Sequence, residues 1–459
     1  MLELVAIYFA FRAVSGARTP QGAIAWVVFL VTTPYLAVPM FLFLGHSGIR
    51  GYIIARRDSE EIISRVESHA QSNPPNTDVM VNGFAAFERI AGMPVVSGND
   101  MELLIDGKAA FDAIFAAMDA AESYLLVQFF ILKDDELGKA FKKRLIAQAR
   151  RGISVRLLYD AVGSSKLPQT YLDELREAGV HLVNAHQLRG PKNRFHLNFR
   201  NHRKSVIVDG QVGFTGGLNV GDEYMGRSSK FGDWRDTHVR FTGPVVSQHQ
   251  LVFVEDWHWA TEETLLGELI WQARRAEKNM DALIVATGPG DRMETGSLYF
   301  AAAINRANAR IWIASPYFVP DNDILTSLKL AAMRGVDVRL LVPEVIDHRI
   351  TWLAAFAYFD EVMEAGVQVW RYDKGFMHQK VLIVDDAIAS VGTMNMDNRS
   401  CRLNFETTLL IFDSRAVAEV AIMLEEDFSH AHRLEKELAQ LPLSRRIGAP
   451  VARLFAPVL

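Results

Sequence analysis

The chain has 459 residues, 49% of them apolar and 22% charged, which is enough for two or three folded domains with sizeable cores. Its net charge is −5, whereas proteins that bind polyanionic nucleic acid usually carry a basic surplus. Cys401 is the single cysteine, which excludes an intrachain disulfide. The composition therefore indicates a folded protein and weighs against a nucleic-acid partner.

Two apolar stretches lie near the N-terminus. The longer one, from Gly22 to Gly45, has no charged side chain and is long enough to cross a bilayer, although Pro34 and Pro39 would kink a helix there. Residues 2–11 cover half that length and predict an interfacial or re-entrant helix, or the remainder of an earlier span. No basic leader of a signal peptide precedes them. Residues 1–57 are therefore predicted to be a membrane region with one clear span at about 22–45.

The segment after the predicted span indicates on which side of the membrane the rest of the chain lies, and it contains a predicted linker. Arg50, Arg56 and Arg57 favour a cytoplasmic position for the C-terminal body, an asymmetry that Arg12 and Arg18 on the other flank reduce. Residues 58–80 are polar around a central Asn-Pro-Pro-Asn and predict a linker.

The remainder of the chain contains an internal sequence repeat. Residues 151–158 and 334–341 share the pattern Arg-Gly-x-x-Val-Arg-Leu-Leu, and a shared Glu-Ala-Gly-Val follows each of them. The copies lie about 180 residues apart, far more than a solenoid repeat, so they indicate two homologous domains, 81–265 and 266–459. Short apolar strands alternate with amphipathic helices in each. The predicted fold class is α/β, with two sandwich domains in which helices flank a sheet.

A third repeated element carries the chemistry. It reads His-x-Lys, four residues, Asp, six residues, Gly-x-x-Asn, with the same spacing in both copies. Because a lone histidine is more often structural than catalytic, it is the repeated spacing that indicates a function. The two copies comprise His202, Lys204, Asp209 and Asn219, and then His378, Lys380, Asp385 and Asn395.

The spacing has a structural interpretation. On a strand, residues i and i+2 share a face, so that His202 and Lys204 would project into one site while Arg203 points the other way. The apolar run that follows predicts a buried strand that ends in a turn at Asp209, and a second strand would return to Gly216. Small residues at that point would let a phosphate approach the backbone closely.

The paired motifs resemble the HKD signature of the phospholipase D superfamily. The resemblance implies that both halves meet around one phosphodiester, where one histidine attacks phosphorus and the other exchanges a proton with the leaving and incoming alcohols. It assigns the nucleophile to His202 and the general acid to His378, and the reverse assignment stays open. Histidine suits both tasks because its unperturbed pKa is about 6.5.

The other motif residues receive roles by the same resemblance. Lys204 and Lys380, with Asn219 and Asn395, would bind the phosphate as charge develops on it. An acidic residue after the Asn would hold the second ring nitrogen of each histidine. The candidates are Glu406, which lies 28 residues after His378, and Asp236, which lies 34 residues after His202. Asp209 and Asp385 belong to the catalytic motifs, and bracing the turn is favoured for them over direct catalysis. No sequence motif calls for a metal or another cofactor.

A closer resemblance, to bacterial cardiolipin synthases, extends from about residue 18 to the end. It implies transfer of a phosphatidyl group between two phosphatidylglycerol molecules, giving cardiolipin and glycerol at the bacterial cytoplasmic membrane. The shortened first span departs from this family, which usually begins with two. The stretches that carry the resemblance are 18–20, 25–26, 34–35, 44–45, 160–164, 198–202, 217–224, 233–238, 256–257, 315–318, 320–321, 395–400 and 404–406.

Several points stay open at the level of sequence. Water could replace the lipid acceptor, which would make the chain a hydrolytic phospholipase D or phosphodiesterase, and a catalytically silent membrane scaffold is the non-enzymatic alternative. The oligomeric state and the role of the apolar tail, 450–459, are undecided. A group of basic residues before the first motif is either a solvated face or a site for lipid headgroups. Its members are Arg189, Lys192, Arg194, Arg200 and Arg203.

Overall fold

A computed structural model of the chain describes residues 2–16, 20–45, 71–76, 84–185, 199–291 and 293–459. Most of the predicted linker and residues 46–57 of the predicted membrane region lie outside these ranges, as do Arg189, Lys192 and Arg194.

The N-terminal residues form three short helices, α1 (Leu2–Gly16), α2 (Pro20–Thr32) and α3 (Pro34–Leu44), which pack on one another. The single helix predicted from Gly22 to Gly45 is wrong. Pro34 has no N–H for a helical bond and disfavours a helical residue before it, so α2 ends at Thr32 and α3 begins with the proline. Among the described residues, no helix combines the length and the apolar character that a bilayer crossing requires.

The first half of the body, from α4 to α8, alternates strands and helices in the predicted manner. Its elements are α4 Ala85–Ala91, β1 Val96–Ile105, α5 Asp106–Asp119, β2 Tyr124–Phe129, α6 Glu136–Arg150, β3 Ser154–Tyr159, α7 Gln169–Glu177, β4 His181–Asn184, β5 Arg200–Asn201, β6 Ser205–Val208, β7 Val212–Gly216, β8 Trp234–Arg235, β9 Thr237–Thr242 and α8 Val245–Thr261.

The second half, from β10 to α14, repeats this order from β1 onward, with β12 and α12 inserted and with β20 and α14 added at the end. Its elements are β10 Met280–Thr287, α9 Thr295–Arg306, β11 Arg310–Ala314, β12 Phe318–Val319, α10 Asn322–Met333, β13 Asp337–Pro343, α11 Arg349–Glu364, β14 Gln368–Tyr372, β15 Phe376–Met377, β16 Val381–Val384, β17 Ile388–Gly392, β18 Met396–Asp397, α12 Asn398–Arg402, β19 Asn404–Phe412, α13 Ser414–Ser429, β20 Ala431–Arg433 and α14 Leu443–Arg453.

The two halves build their sheets in the same strand order. The first runs β1-β9-β7-β6-β2-β3-β4 and the second β10-β19-β17-β16-β11-β13-β14, each with its last three strands parallel and the others antiparallel. The antiparallel pair β1–β10 joins them edge to edge into one sheet, and β20 extends it beyond β14. The shared order confirms the prediction of two homologous α/β domains.

Helix α8 connects the halves through its burial. Its residues from Val245 to Trp257 are all buried, because it packs against β10 of the second half as well as β2, β6, β7 and β9 of the first. Polar side chains on such a helix need internal partners. His249 meets this need at its Nε2, which lies 2.8 Å from Ser205 Oγ at the start of β6, whereas its buried Nδ1 has no hydrogen-bond partner among the described residues.

The burial of His249 predicts a loss of stability in acid. Burial, with Arg203 nearby, lowers the pKa of His249 to about 3. Below about pH 6.5 this histidine therefore binds a proton in the unfolded chain but stays neutral in the folded one. The free energy of unfolding is undiminished above about pH 6.5 and decreases as the pH falls toward 3. We expect His249→Gln to reduce the slope of unfolding free energy against pH by about 1.4 kcal/mol per pH unit between pH 6 and 4.

The measurement is denaturant unfolding at a series of pH values, with the exposed His181→Gln as the matched control. An equal change of slope in both variants would contradict the role of burial.

Candidate active site

Two short parallel strand pairs carry the histidines across the boundary between the halves. β5 of the first half pairs with β19 of the second, and β15 of the second half pairs with β8 of the first. Directly after these strands, the His202 N–H donates to the Phe405 carbonyl at 3.0 Å and the His378 N–H donates to the Arg235 carbonyl at 2.8 Å. The backbone of each histidine is therefore held by the opposite half.

The imidazole rings are held by the opposite half as well. His202 Nδ1 lies 2.8 Å from Glu406 Oε2, and His378 Nδ1 lies 2.8 Å from Asp236 Oδ2. The sequence identifies both carboxylates, but the distances along the chain associate each one with the wrong histidine. With Nδ1 engaged by a carboxylate, Nε2 is the nitrogen of each ring that a substrate can reach, and in His378 it lies 3.1 Å from Lys380 Nζ.

Each carboxylate has further donors that fix its orientation. Glu406 accepts from Thr393 Oγ1 at 2.6 Å and from Asn404 Nδ2 at 3.0 Å. Asp236 accepts from the Thr237 N–H at 2.8 Å and from the indole N–H of Trp234 at 3.3 Å. Both carboxylates are fully buried.

Thr393 has no counterpart in the first half, where the equivalent motif position is Gly217. A Cβ atom on Gly217 would lie 1.9 Å from Asp236 Oδ1, so a side chain there would displace the carboxylate. Sequence analysis missed the role of Thr393. The signal was present in the motif, because the two copies differ there as Gly-Gly and Gly-Thr.

The two motif lysines lie beside the histidines and are fully buried. Lys380 Nζ is 2.8 Å from His378 Nδ1 and 3.1 Å from Nε2, and Lys204 Nζ donates to the His202 carbonyl at 2.6 Å. Burial lowers the pKa of Lys204 to about 7 and that of Lys380 to about 8. An anion in the site would therefore favour the protonated, positively charged form of both lysines.

The same burial acts on the other titratable groups. Burial, followed by the charge of Lys380, lowers the pKa of His378 to about 4, and burial also lowers the pKa of His202. Burial alone would raise the pKa of Asp236, but Lys380 and His378 outweigh it and the pKa is lowered. His202 and Lys204 do the same for Glu406. The carboxylates are thus held ionised and the histidines neutral before a substrate binds.

The predicted phosphate-binding asparagines both reach the cavity but differ in their contacts. Asn219 Oδ1 accepts from the Ile131 N–H at 3.1 Å, and its Nδ2 donates to Tyr224 Oη at 3.1 Å. In the described part of the chain, Asn395 Oδ1 is buried and has no hydrogen-bond partner. The amide of Asn395 is consequently the one with unused hydrogen-bonding capacity.

Asp209 and Asp385 lie at the other end of their strands and do not line the cavity, so their position favours bracing of the turn over direct catalysis. Asp209 accepts from the backbone N–H groups of Glu122, Ser123 and Tyr124 at 2.8–2.9 Å. Asp385 accepts in the same way from residues 308–310. Both have left-handed backbones, with φ of 52° and 50°, a conformation that aspartate tolerates better than most residues. Their role is to brace the turn, as the sequence favours.

His202 and Lys204 precede β6 instead of lying within it, since the strand begins at Ser205. They still share one side of the chain, and Arg203 points the other way as predicted. Arg203 forms a buried ion pair with Asp256 and donates to the carbonyls of Glu406 and Thr287 at 3.1 Å. The interpretation of Arg203 as a headgroup ligand is therefore wrong.

One cavity of 660 Å³ contains both histidines. Aromatic rings line it beside each of them, with Phe130 5.0 Å from His202 and Trp234 5.2 Å from His378 between ring centroids. Arg200 of the first half and Arg399 of the second also line it. Further lining residues to which the sequence analysis assigned no role in the site are Tyr317, Asp347, His348, Arg349, Ile350, Asp397, Asn404, Val458 and Leu459.

Comparison with known proteins agrees with this geometry. Residues 114–230 and 300–430 match the family model described as "Cardiolipin synthase, PLD-like domain". Cardiolipin synthase A of Pseudomonas putida is 44% identical over 467 residues, covering all of this chain and 97% of the relative, and that of Pseudomonas fluorescens is 43% identical with the same coverage. The chain belongs to the cardiolipin synthase family. It is accordingly a phosphatidyltransferase of the PLD-like type.

More distant solved structures share the fold of this cardiolipin synthase family member. Phosphatidylserine synthase of Haemophilus influenzae superposes with a TM-score of 0.62 at 15% identity, over 82% of this chain and 99% of that one. Polyphosphate kinase of Porphyromonas gingivalis gives a TM-score of 0.51 at 13% identity, over 78% of this chain and 52% of that one.

The bracing role of Asp209 can be separated from catalysis. Asp209→Ala removes the acceptor for three backbone N–H groups and places alanine at positive φ, so we expect the free energy of unfolding to fall by about 2 kcal/mol. Asp209→Asn keeps one oxygen and tolerates the backbone, and it is expected to lose about half as much. Denaturant unfolding of both variants measures this. Unchanged stability with abolished turnover in Asp209→Ala would contradict the structural role.

Proposed function

We propose that this chain joins two phosphatidylglycerol molecules into cardiolipin through a phosphohistidine intermediate. The observation that carries the proposal is the reciprocal geometry of His202 and His378, each bound through Nδ1 to a buried carboxylate of the opposite half. Two histidines so held present two Nε2 atoms to one cavity, which suits a nucleophile and a proton carrier acting on the same phosphorus.

In the first half-reaction, His202 Nε2 attacks the phosphorus of one phosphatidylglycerol. The bond from phosphorus to the glycerol headgroup breaks, and His378 gives its Nε2 proton to the departing glycerol oxygen. The phosphatidyl group is then bound to His202. Glu406 at Nδ1 stabilises the positive charge that the ring of His202 acquires.

In the second half-reaction, a free headgroup hydroxyl of another phosphatidylglycerol replaces the departed glycerol. His378, now neutral, accepts the hydroxyl proton while the oxygen attacks phosphorus and the bond to His202 breaks. The products are cardiolipin and a regenerated site. One phosphodiester is exchanged for another, so the reaction consumes no energy-rich cosubstrate.

The negative charge of the substrate favours the protonation of His378 that the first step needs. In the free site, burial and Lys380 lower the pKa of His378 to about 4, so its ring is neutral at pH 7. A phosphodiester anion in the cavity favours the protonated forms of His378 and of the two lysines. Binding of the lipid phosphate is therefore coupled to proton uptake.

The arginines of the cavity suit two anionic lipids. Arg200 and Arg399 come from different halves and are close enough that Arg200, after burial, contributes to lowering the pKa of Arg399. One phosphate lies between the histidines during transfer, and the acceptor lipid brings a second. We assign the acceptor phosphate to the side of the cavity that Arg200 and Arg399 line.

The proposed location is the bacterial cytoplasmic membrane, with the catalytic body on the cytoplasmic side. The helices α1 to α3 support membrane association, because most of their surface is apolar. Their exposed large apolar side chains are Leu4, Ile7, Tyr8, Phe11, Val14, Ile24, Val28, Val31, Tyr35, Leu36 and Met40.

Lipid products distinguish the proposal from hydrolysis. Full-length protein in phosphatidylglycerol vesicles is expected to form cardiolipin and glycerol in equal amounts, and His202→Ala and His378→Ala are expected to lose at least about 10³-fold in rate. Mass spectrometry of the lipids, with an enzymatic assay for glycerol, measures both products. Phosphatidic acid without cardiolipin would make the chain a hydrolase.

An activated substrate assigns the two histidines. Phosphatidyl-p-nitrophenol has a leaving group that needs no proton, so His378→Ala is expected to release one equivalent of nitrophenol in a burst and to retain the phosphatidyl group on His202. His202→Ala is expected to give no burst. Because the carboxylates cross between the halves, Glu406→Gln should behave like His202→Ala, and Asp236→Asn like His378→Ala.

The burst is measured by stopped-flow absorbance, and the labelled residue is located by mass spectrometry of peptides. A burst in His202→Ala with label on His378 would reverse the roles. If instead Asp236→Asn lost the burst and Glu406→Gln kept it, the crossed pairing would be refuted.

A further inference from the structure

Helix α14 turns two of its three arginines, Arg445 and Arg453, toward the protein. Arg445 places its guanidinium 4.8 Å from the ring centre of Trp352 on α11. At the last residue of the helix, the guanidinium of Arg453 lies 4.3 Å from the ring centre of Tyr358 and donates to Glu361 Oε1 at 2.9 Å. The small residues Ala449 and Ala452 are buried between these arginines and allow the close approach to α11.

The opposite face of α14 is apolar and exposed. Leu443, Ile447, Val451 and Leu454 follow the helical spacing of four, four and three residues, and their side chains are 65%, 59%, 52% and 78% exposed. We call these four residues the outer stripe. Helices of water-soluble proteins place the apolar face against the core and the charges outside, so α14 is inverted. A continuous apolar surface of this kind indicates contact with a non-aqueous partner.

The outer stripe leads directly to the wall of the active-site cavity. Beyond Leu454 the chain turns over α12, where the Arg399 N–H donates to the Leu459 carbonyl at 2.7 Å. Val458 and Leu459 line the cavity, together with Ile350 at the start of α11, which is itself half exposed. An apolar phase that contacts α14 is therefore close to the point at which a lipid would enter.

The charge of this segment favours an anionic partner. Residues 441–459 contain three arginines and no acidic residue. Arg446 lies on the exposed side of α14, next to Ile447. A basic residue near an anionic lipid surface contributes about 1 kcal/mol of attraction. A second copy of the chain docking through the same face would instead bring its own Arg446 against this one, which disfavours self-association.

We propose that the outer stripe of α14 lies in the headgroup region of an anionic bilayer and holds the mouth of the cavity against the lipid surface. The inference rests on the proposed function, because it assigns the membrane contact that presents phosphatidylglycerol to the site. An 11-residue helix is too short to cross a bilayer and instead lies in its plane, with apolar side chains among the upper acyl carbons.

A fluorophore on the stripe tests the contact directly and does not depend on turnover. Val451→Cys in the full-length protein carries the label, since the native Cys401 is buried. Met333→Cys is the matched control. Met333 is 68% exposed at the end of α10. The next residue, Arg334, donates to the Ala307 carbonyl, beside the turn that Asp385 braces. This turn lies at the end of the strand away from the site.

In vesicles of phosphatidylglycerol and phosphatidylcholine, a quencher attached to the acyl chains is expected to quench the Val451 label several-fold more than the Met333 label. Equal quenching of both labels would overturn the proposal.

Activity provides an independent measurement. Ile447→Glu combined with Val451→Glu is expected to lower cardiolipin formation in these vesicles about tenfold, because two charges would enter the apolar phase, whereas Met333→Glu should retain the parental rate. Thermal unfolding shows whether each variant is folded. If the parent formed no cardiolipin while its Val451 label was quenched by lipid, the proposed reaction would fail and the membrane contact would stand.

Discussion

The structure depends on one reciprocal constraint, in which each histidine of the site is held by the half of the chain to which it does not belong. Each histidine is held at two points. Backbone hydrogen bonds next to the strand pairs β5–β19 and β8–β15 position the main chain, and a carboxylate orients the ring. Neither half contains a complete site. The edge-to-edge joint of the sheets at β1–β10 and the shared burial of α8 are therefore required for chemistry as well as for stability.

The constraint also explains how so many ionisable groups are tolerated at buried positions. Asp236, Glu406, Lys204 and Lys380 are all buried, and an isolated buried charge would cost several kcal/mol. Each carboxylate lies close to cations and fixed donors, and each lysine is shifted toward neutrality. A phosphodiester that enters the cavity favours the protonated lysines and also meets Arg200 and Arg399 in the lining, so the site is complementary to an anion.

The surface around the site follows a different principle from its interior. In the site, buried carboxylates lie beside buried lysines and histidines. On α14, Arg445 and Arg453 stack on aromatic rings and the apolar side chains face outward. The arrangement is consistent for an enzyme whose substrates have an anionic head and an insoluble tail. The head requires the buried cations, and the tail requires an apolar phase beside the mouth of the cavity.

The sequence by itself determined what depends on neighbours along the chain. The two copies of the motif, the strands after Lys204 and Lys380 and the turns at Asp209 and Asp385 follow from spacing, alternation and turn chemistry, which act over a few residues. Spacing identified the two histidines, and the resemblance to the phospholipase D superfamily pointed to Asp236 and Glu406 as the carboxylates. Sequence reasoning failed at Pro34, where the missing N–H ended a helix that apolar composition alone would continue.

Only the tertiary structure decided which carboxylate holds which histidine, because those contacts join residues 204 and 142 positions apart. The burial of Arg203 against Asp256, the place of Thr393 beside Glu406 and the inversion of α14 were decided in the same way. Local pattern specifies which side chains share a face, but not what that face meets. The partner is selected by packing between segments distant in sequence, where burial and charge pairing determine the free energy.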